Sequence, residues 1–143
     1  MAMRRLITGV KDGKSCVTEV REITPGGDET AVFDFVQFPL NPPASRPPGH
    51  GALLDLHVPQ GQVKWSTSYS PPNGEWATVH HTDSIDCHTV IQGSCALILD
   101  DGAHWLEAGD CVIVNGVDHA WKTGPDGCVS SSFFIATPAP AED

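Results

Sequence analysis

The chain has 143 residues, with eight Lys+Arg against eighteen Asp+Glu and a formal net charge of −10. Charge of that sign repels phosphate backbones and anionic lipid, which argues against nucleic-acid and membrane partners. There is no apolar run of the roughly eighteen residues a spanning helix needs, and the short apolar run in the opening MAMRRLITGV falls well short of a signal-peptide core. The expectation is one cytoplasmic domain, large enough to bury roughly 68–70% of its unfolded surface.

In chain order, turn chemistry alternates with short β-prone runs. Asp12-Gly13, Pro25-Gly26-Gly27-Asp28, Asn73-Gly74, Asp101-Gly102, Asn115-Gly116 and Pro125-Asp126-Gly127 mark places where positive φ costs little. Between them lie SCVTEV (15–20), TAVFDFVQF (30–38), ALLDLHV (52–58), CHTVIQ (87–92), CALILD (95–100), CVIVN (111–115) and SSFFIA (131–136). Runs of this length and spacing predict an all-β sandwich or barrel. The proline-rich PLNPPASRPPG at 39–49 can join neither a helix nor a central strand. It divides an N-terminal β extension and arm (1–57) from the barrel proper (58–137), and 138–143 reads as a disordered acidic tail, all within one domain. Five cysteines, at 16, 87, 95, 111 and 128, are odd in number and form no C-x-x-C pair, so reduced thiols are expected.

The densest chemistry lies in VHHTDSIDCHTVIQG (79–93). Side chains alternate along a strand, so Asp86, His88 and Val90 share one face and Cys87, Thr89 and Ile91 the other. Asp86 and His88 are then neighbours, suited either to one ion or to an acid–base pair. His80 can approach the same face if the chain bends at Thr82-Asp83, whereas of the adjacent His80 and His81 only one can point inward. A second segment, LEAGDCVIVNGVDHAW (106–121), reads as a strand, a turn at Asn115-Gly116 and a return strand beginning at His119, which could face the Asp86 strand. Trp121 shares the face of His119. Trp65 and Tyr69, in VKWSTSYSPPNGEW, could line the mouth of a barrel.

These two segments resemble the paired motifs of the cupin superfamily. His80 stands at the first motif's first histidine, Asp86 at its glutamate, and Gly93 at its closing glycine; Gly109 opens the second motif and His119 supplies its histidine. HHTDSID, LDDG, AGD and NGVDHAW also resemble segments of small single-domain cupins. The likeness covers about residues 60–136, and the first 57 only loosely. It departs from the pattern at Thr82, where the second histidine belongs, in the shorter aspartate, in a second motif one residue short, and in Asn115 where proline is common.

The resemblance implies a cupin-type jelly-roll barrel, a homodimer, and a divalent metal (Fe, Mn, Ni or Zn) on His80, Asp86 and His119, with His81 or His88 as a further ligand; a pocket that has lost its metal is the alternative. Asp86 and His88 are the candidate catalytic residues, and Trp121, Trp65 and Tyr69 the candidate substrate contacts. The leading expectation for function is an isomerase or lyase (dehydratase or decarboxylase) acting on an oxygenated organic acid or carbonyl compound. An Fe(II)-dependent dioxygenase and a non-catalytic small-ligand-binding cupin are the alternatives.

Overall fold

A computed structural model describes residues 2–24, 31–40 and 51–139. Asp12-Gly13 acts as its sequence predicts: both residues take positive φ (52° and 73°) and close a two-residue hairpin between β1 (Met3–Lys11) and β2 (Lys14–Ile23). Seven further strands follow among the described residues: β3 (Ala52–Leu53), β4 (Val63–Ser70), β5 (Glu75–His81), β6 (Ser84–Leu99), β7 (Gly102–Glu107), β8 (Cys111–Asn115) and β9 (His119–Ala136). They form one sheet in the order β2-β1-β8-β6-β9-β5-β3, with β4 also on β9 and β7 on β6. No helix occurs among the described residues.

The N-terminal hairpin is stitched into this sheet rather than appended to it. β1 runs parallel to β8, and the Asp110 carboxylate accepts the Arg4 N–H at 2.8 Å, the Glu107 N–H at 3.0 Å and the Arg4 guanidinium at 2.5 Å. Asp110 is buried. Replacing it with alanine strands two backbone donors, each worth about 1–3 kcal/mol when left unmade. Asp110→Ala is therefore expected to lower the stability measured by urea unfolding by about 2–4 kcal/mol, and an unchanged midpoint would show that β1 is held elsewhere.

Two long strands give the sheet its curl. β6 and β9 span 16 and 18 residues, well past the usual strand length, and pair along most of their length with register shifts between Val90 and Gln92 and between Gly93 and Cys95. At that break Gly93 (φ 76°) crosses Gly127 (φ 77°), and a Cβ on Gly93 would sit 2.0 Å from the Gly127 carbonyl oxygen. The ribbon bends there, so its two halves face each other as a half-barrel. CHTVIQ and CALILD, expected as separate strands, are thus one strand, and Pro125-Asp126-Gly127 bends a strand instead of reversing the chain.

Directly paired residues share a face. On the concave face the register sets Leu6, Val112, His88, Ser132 and Ser66 in one row across β1, β8, β6, β9 and β4. The main core sits on this side, with Leu6, Val90, Leu97, Leu99, Leu106, Val112, Val114, Val117 and Cys128 buried together. The adjacent row on the convex face is Ile7, Ile113, Cys87, Phe133 and Trp65.

TAVFDFVQF does not form the expected strand. Its described residues, 31–38, carry no ladder pairing and lie as a strap on the convex face. Phe38 packs on Ile7, Ile85 and Ile113, and Asp34 pairs with Arg5 and with Arg21 (3.0 Å). Arg5 and Arg21 are cross-strand partners, so the ion cluster fixes the strap where a ladder would have turned its charge toward a neighbouring strand. ALLDLHV is a strand only at Ala52–Leu53; the positive φ of His57 (52°) bends the remainder. Most of the proline-rich arm (41–50) and residues 140–143 of the tail lie outside the described residues.

Candidate functional site

Three strands bring the candidate residues together on the concave face. His80, one residue before the end of β5, pairs in register with His119 at the start of β9, and their ring centroids are 4.3 Å apart. The bend of the ribbon lays His88 of β6 against the same group, 5.0 Å from Trp121 and 5.8 Å from Phe134, while His119 is 5.9 Å from Trp121. His80, His88, His119 and Trp121 therefore converge, as the alternation of the opening strand and the return strand at His119 anticipate.

Each imidazole is oriented through Nδ1. His80 uses the Thr78 carbonyl at 3.0 Å, His119 the Val117 carbonyl at 2.8 Å, and His88 the Ser132 hydroxyl at 2.7 Å, its partner across the ladder. The Nε2 atoms are left for other work. That of His88 is buried and has no hydrogen-bond partner, an arrangement that costs stability unless something else completes it. Burial, with His119 and His80 adding to it, pushes His88 down to about 3; burial pushes His119 down to about 4. Both are neutral at pH 7.

Asp86 is buried beside them. Burial raises its carboxyl to about 6, partly offset by hydrogen bonds from Ser84 and Thr82 and by the field of His80. The Ser84 hydroxyl donates to one carboxylate oxygen and Thr82 to the other at 3.0 Å. This clamp is missing from the sequence reading, although Ser84 lies two residues before Asp86 on the same strand face and Thr82 two before that. Ser132 is missing too, since its partnership with His88 depends on a register that no local pattern states.

The other candidates lie apart. His81 points away from His80 and pairs with Asp118 at 2.7 Å, whose other oxygen accepts the Gly51 N–H at 3.1 Å. Trp65 and Tyr69 stand on the convex face, two-thirds exposed, with Trp65 stacked on Phe133 at 5.7 Å. The sheet separates them from the imidazoles because Phe133 and Ser132 point in opposite directions. The aromatic rings that pack against His88 are instead Trp121 and Phe134.

An ion on His80, Asp86 and His119 would need three donors free to converge. Each Asp86 oxygen accepts one hydroxyl and keeps a lone pair, and no group of three or more His, Cys, Asp or Glu among the described residues is arranged to hold a metal. As folded, the set is not drawn together into ligand geometry. What it offers is a carboxyl near neutrality beside neutral imidazoles, a combination suited to moving a proton and holding an oxygen.

The motif-bearing strands β5, β6 and β9 thus meet on the concave face of a half-barrel that, among the described residues, has strands and no helix. The fold is of the cupin type. No family model matches the chain. Among curated proteins it is 33% identical over 96 residues to phomopsin biosynthesis cluster protein C' of Diaporthe leptostromiformis, covering 66% of this chain and 44% of the relative. It is 33% identical over 79 residues to cluster protein D of the same organism, covering 54% and 38%. The chain therefore spans less than half the length of the curated relatives it matches. Similar solved structures include a sugar phosphate isomerase from a cupin superfamily of Silicibacter pomeroyi (TM-score 0.45, 17% identity, 55% of this chain and 53% of that one). Another is a cupin-2 domain protein of Shewanella frigidimarina (TM-score 0.44, 12% identity, 53% and 72%). No helix of this cupin-type fold among the described residues is long and apolar enough to cross a membrane.

Proposed function

We propose that this protein is an enzyme of the lyase or isomerase type, catalysing proton-transfer chemistry on a small oxygenated organic acid or carbonyl compound held on the concave face. The buried, partnerless Nε2 of His88 carries this reading: a substrate oxygen placed there would satisfy it. Neutral His88 holds that oxygen; His119, whose Nδ1–H is committed to the Val117 carbonyl, accepts a substrate hydroxyl at Nε2. Trp121 and Phe134 exclude water, and Asp86 takes and returns the proton. A carboxyl at about 6 is close to the working pH, where a general base is most effective. The curated relatives are named for a biosynthesis cluster, which accords with a small-molecule substrate.

The test is exchange of α-hydrogen for deuterium in a panel of oxo and hydroxy acids, followed by NMR. Wild type is expected to catalyse exchange in at least one, with Asp86→Asn slower by about 10²–10⁴-fold and His88→Gln raising KM more than it lowers kcat. Saturable binding without exchange would make the protein a binding module. Stoichiometric iron with oxygen uptake, or any metal lost on His119→Ala, would replace this reading with a metal-centred one.

We further propose that the protein is a homodimer through its convex face. Val63, Trp65, Tyr69 and Phe133, which share the convex face by register, are 46–66% exposed, and Phe33 and Phe35 of the strap on that face are 72% and 81% exposed. Such side chains leave roughly 600 Å² uncovered, at the upper end of what monomers expose and approaching the ~800 Å² per partner of a stable interface. Light scattering is expected to give twice the chain mass for wild type and one chain mass for Trp65→Glu/Phe133→Ser; a monomeric wild type would sink the assignment.

A further inference from the structure

Two of the three imidazoles on the concave face carry a hydrogen on Nδ1. His80 and His119 direct that atom at the backbone carbonyls of Thr78 and Val117, and a carbonyl only accepts. In neutral His119 this leaves Nε2 as a bare acceptor. His88 differs, because its Nδ1 faces the Ser132 hydroxyl at 2.7 Å, a group that either donates or accepts.

Counting donors decides between the two. Ser132 is 3% exposed, and His88 Nδ1 is the partner the structure gives its hydroxyl. If Nδ1 donated, the Ser132 hydrogen would be buried without an acceptor and His88 Nε2 buried without a donor. If the hydroxyl donates, Ser132 is satisfied and one group remains, an Nε2–H. Each orphan costs stability, so the arrangement with one is favoured over the arrangement with two. The surroundings keep the ring in place: His88 and Ser132 are register partners on β6 and β9, and Trp121 and Phe134 pack on the imidazole at interplanar angles of 67° and 81°.

We propose that Ser132 is a positioning residue that holds His88 in the Nε2–H tautomer, opposite to that of His119, and so selects a substrate carrying a carbonyl and a hydroxyl together. This selection rests on the reading of the concave face as the substrate site. The one donor, His88 Nε2–H, meets the carbonyl oxygen, and the acceptor, His119 Nε2, meets the hydroxyl hydrogen. A simple ketone leaves His119 unmatched, and a simple alcohol lacks the carbonyl. A hydroxycarbonyl compound satisfies both.

NMR of the full chain with 15N-labelled histidine reads each tautomer directly. His88, assigned by the loss of its signals in His88→Gln, is expected to be protonated on Nε2, and His119, assigned likewise from His119→Gln, on Nδ1. Ser132→Ala removes the donor to His88 Nδ1 and is expected to populate the Nδ1–H form, whereas Ser132→Thr keeps the hydroxyl and should retain Nε2–H. Titrated with hydroxyacetone, acetone and 1-propanol, wild type is expected to bind hydroxyacetone about tenfold tighter than either of the others, with both Nε2 resonances moving. Ser132→Ala should lose that preference. An Nδ1–H His88 in wild type, an unchanged tautomer in Ser132→Ala, or equal affinity for the three ligands would each overturn the assignment, and the first needs no variant. None of these readouts requires turnover, so absence of α-hydrogen exchange would sink the enzyme reading and leave the tautomers in place.

Discussion

Gly93→Ala is expected to abolish folding. The added Cβ would lie 2.0 Å from the Gly127 carbonyl oxygen and 2.9 Å from its carbon, both backbone atoms, so no side-chain rotation relieves the clash. The same residue would have to hold a φ of 76°, which alone costs a non-glycine residue about 1 kcal/mol or more. Relief requires separating β6 from β9 where the ribbon bends, and that opens the half-barrel and scatters the imidazoles. A loss of at least about 4 kcal/mol is expected, at the far end of single-substitution effects. The readout is insoluble protein, or soluble protein without a cooperative thermal transition. Gly127→Ala, whose Cβ would meet the Ser70 carbonyl at 3.0 Å, is expected to be milder yet still destabilising. A Gly93→Ala protein with wild-type melting would mean that the ribbon does not cross there.

Acid is expected to unfold the protein well before its surface carboxylates are all protonated. His88 and His119, held at about 3 and about 4 against an ordinary 6.5, add stability that is fully present above 6.5 and is lost as pH falls toward those values. Asp86, raised to about 6 from 3.8, works the other way, adding stability that is fully present below 3.8 and is lost as pH rises through 6. Between about pH 6 and 4 the unfolded chain therefore binds two protons to the folded chain's one, a net slope of about 1.4 kcal/mol per pH unit. Asp34, held low by Arg5, and Asp110, where Arg4 and two backbone N–H groups outweigh burial, push in the same direction. Urea midpoints measured from pH 7 to 4.5 should fall along that slope. In His88→Phe one histidine then balances one aspartate, and the slope should shrink toward that of the surface carboxylates. A wild-type midpoint independent of pH would show that the imidazoles are not buried neutral.

Much of this architecture was legible in the sequence. The strand class, the Asp-Gly hairpin, CVIVN as β8 and the shared face of Asp86 and His88 all follow from local alternation and turn chemistry. So does the placement of His119 on a returning strand. The continuity of β6 and β9 was hidden because Gly93 and Pro125-Asp126-Gly127 look the same in sequence whether they reverse a strand or bend it; only the partner strand decides. TAVFDFVQF misled for a related reason: its β-propensity was real, yet Asp34 found two arginines on the face of a finished sheet, a long-range pairing with no local signature. Trp65 and Tyr69 needed strand register, since one residue's offset separates the concave face from the convex.

The parallel pairing of β1 with β8 sets the order of events during synthesis. Arg4 and Asp110 are 106 residues apart, so β1 has no β8 edge to join until roughly a hundred further residues have been made. Contacts of such separation slow folding, and during that interval Leu6, on the face opposite the strap, has only β2 beside it. A nascent chain of this protein therefore exposes one face of the β1–β2 hairpin throughout that interval, which makes the hairpin a candidate for chaperone binding.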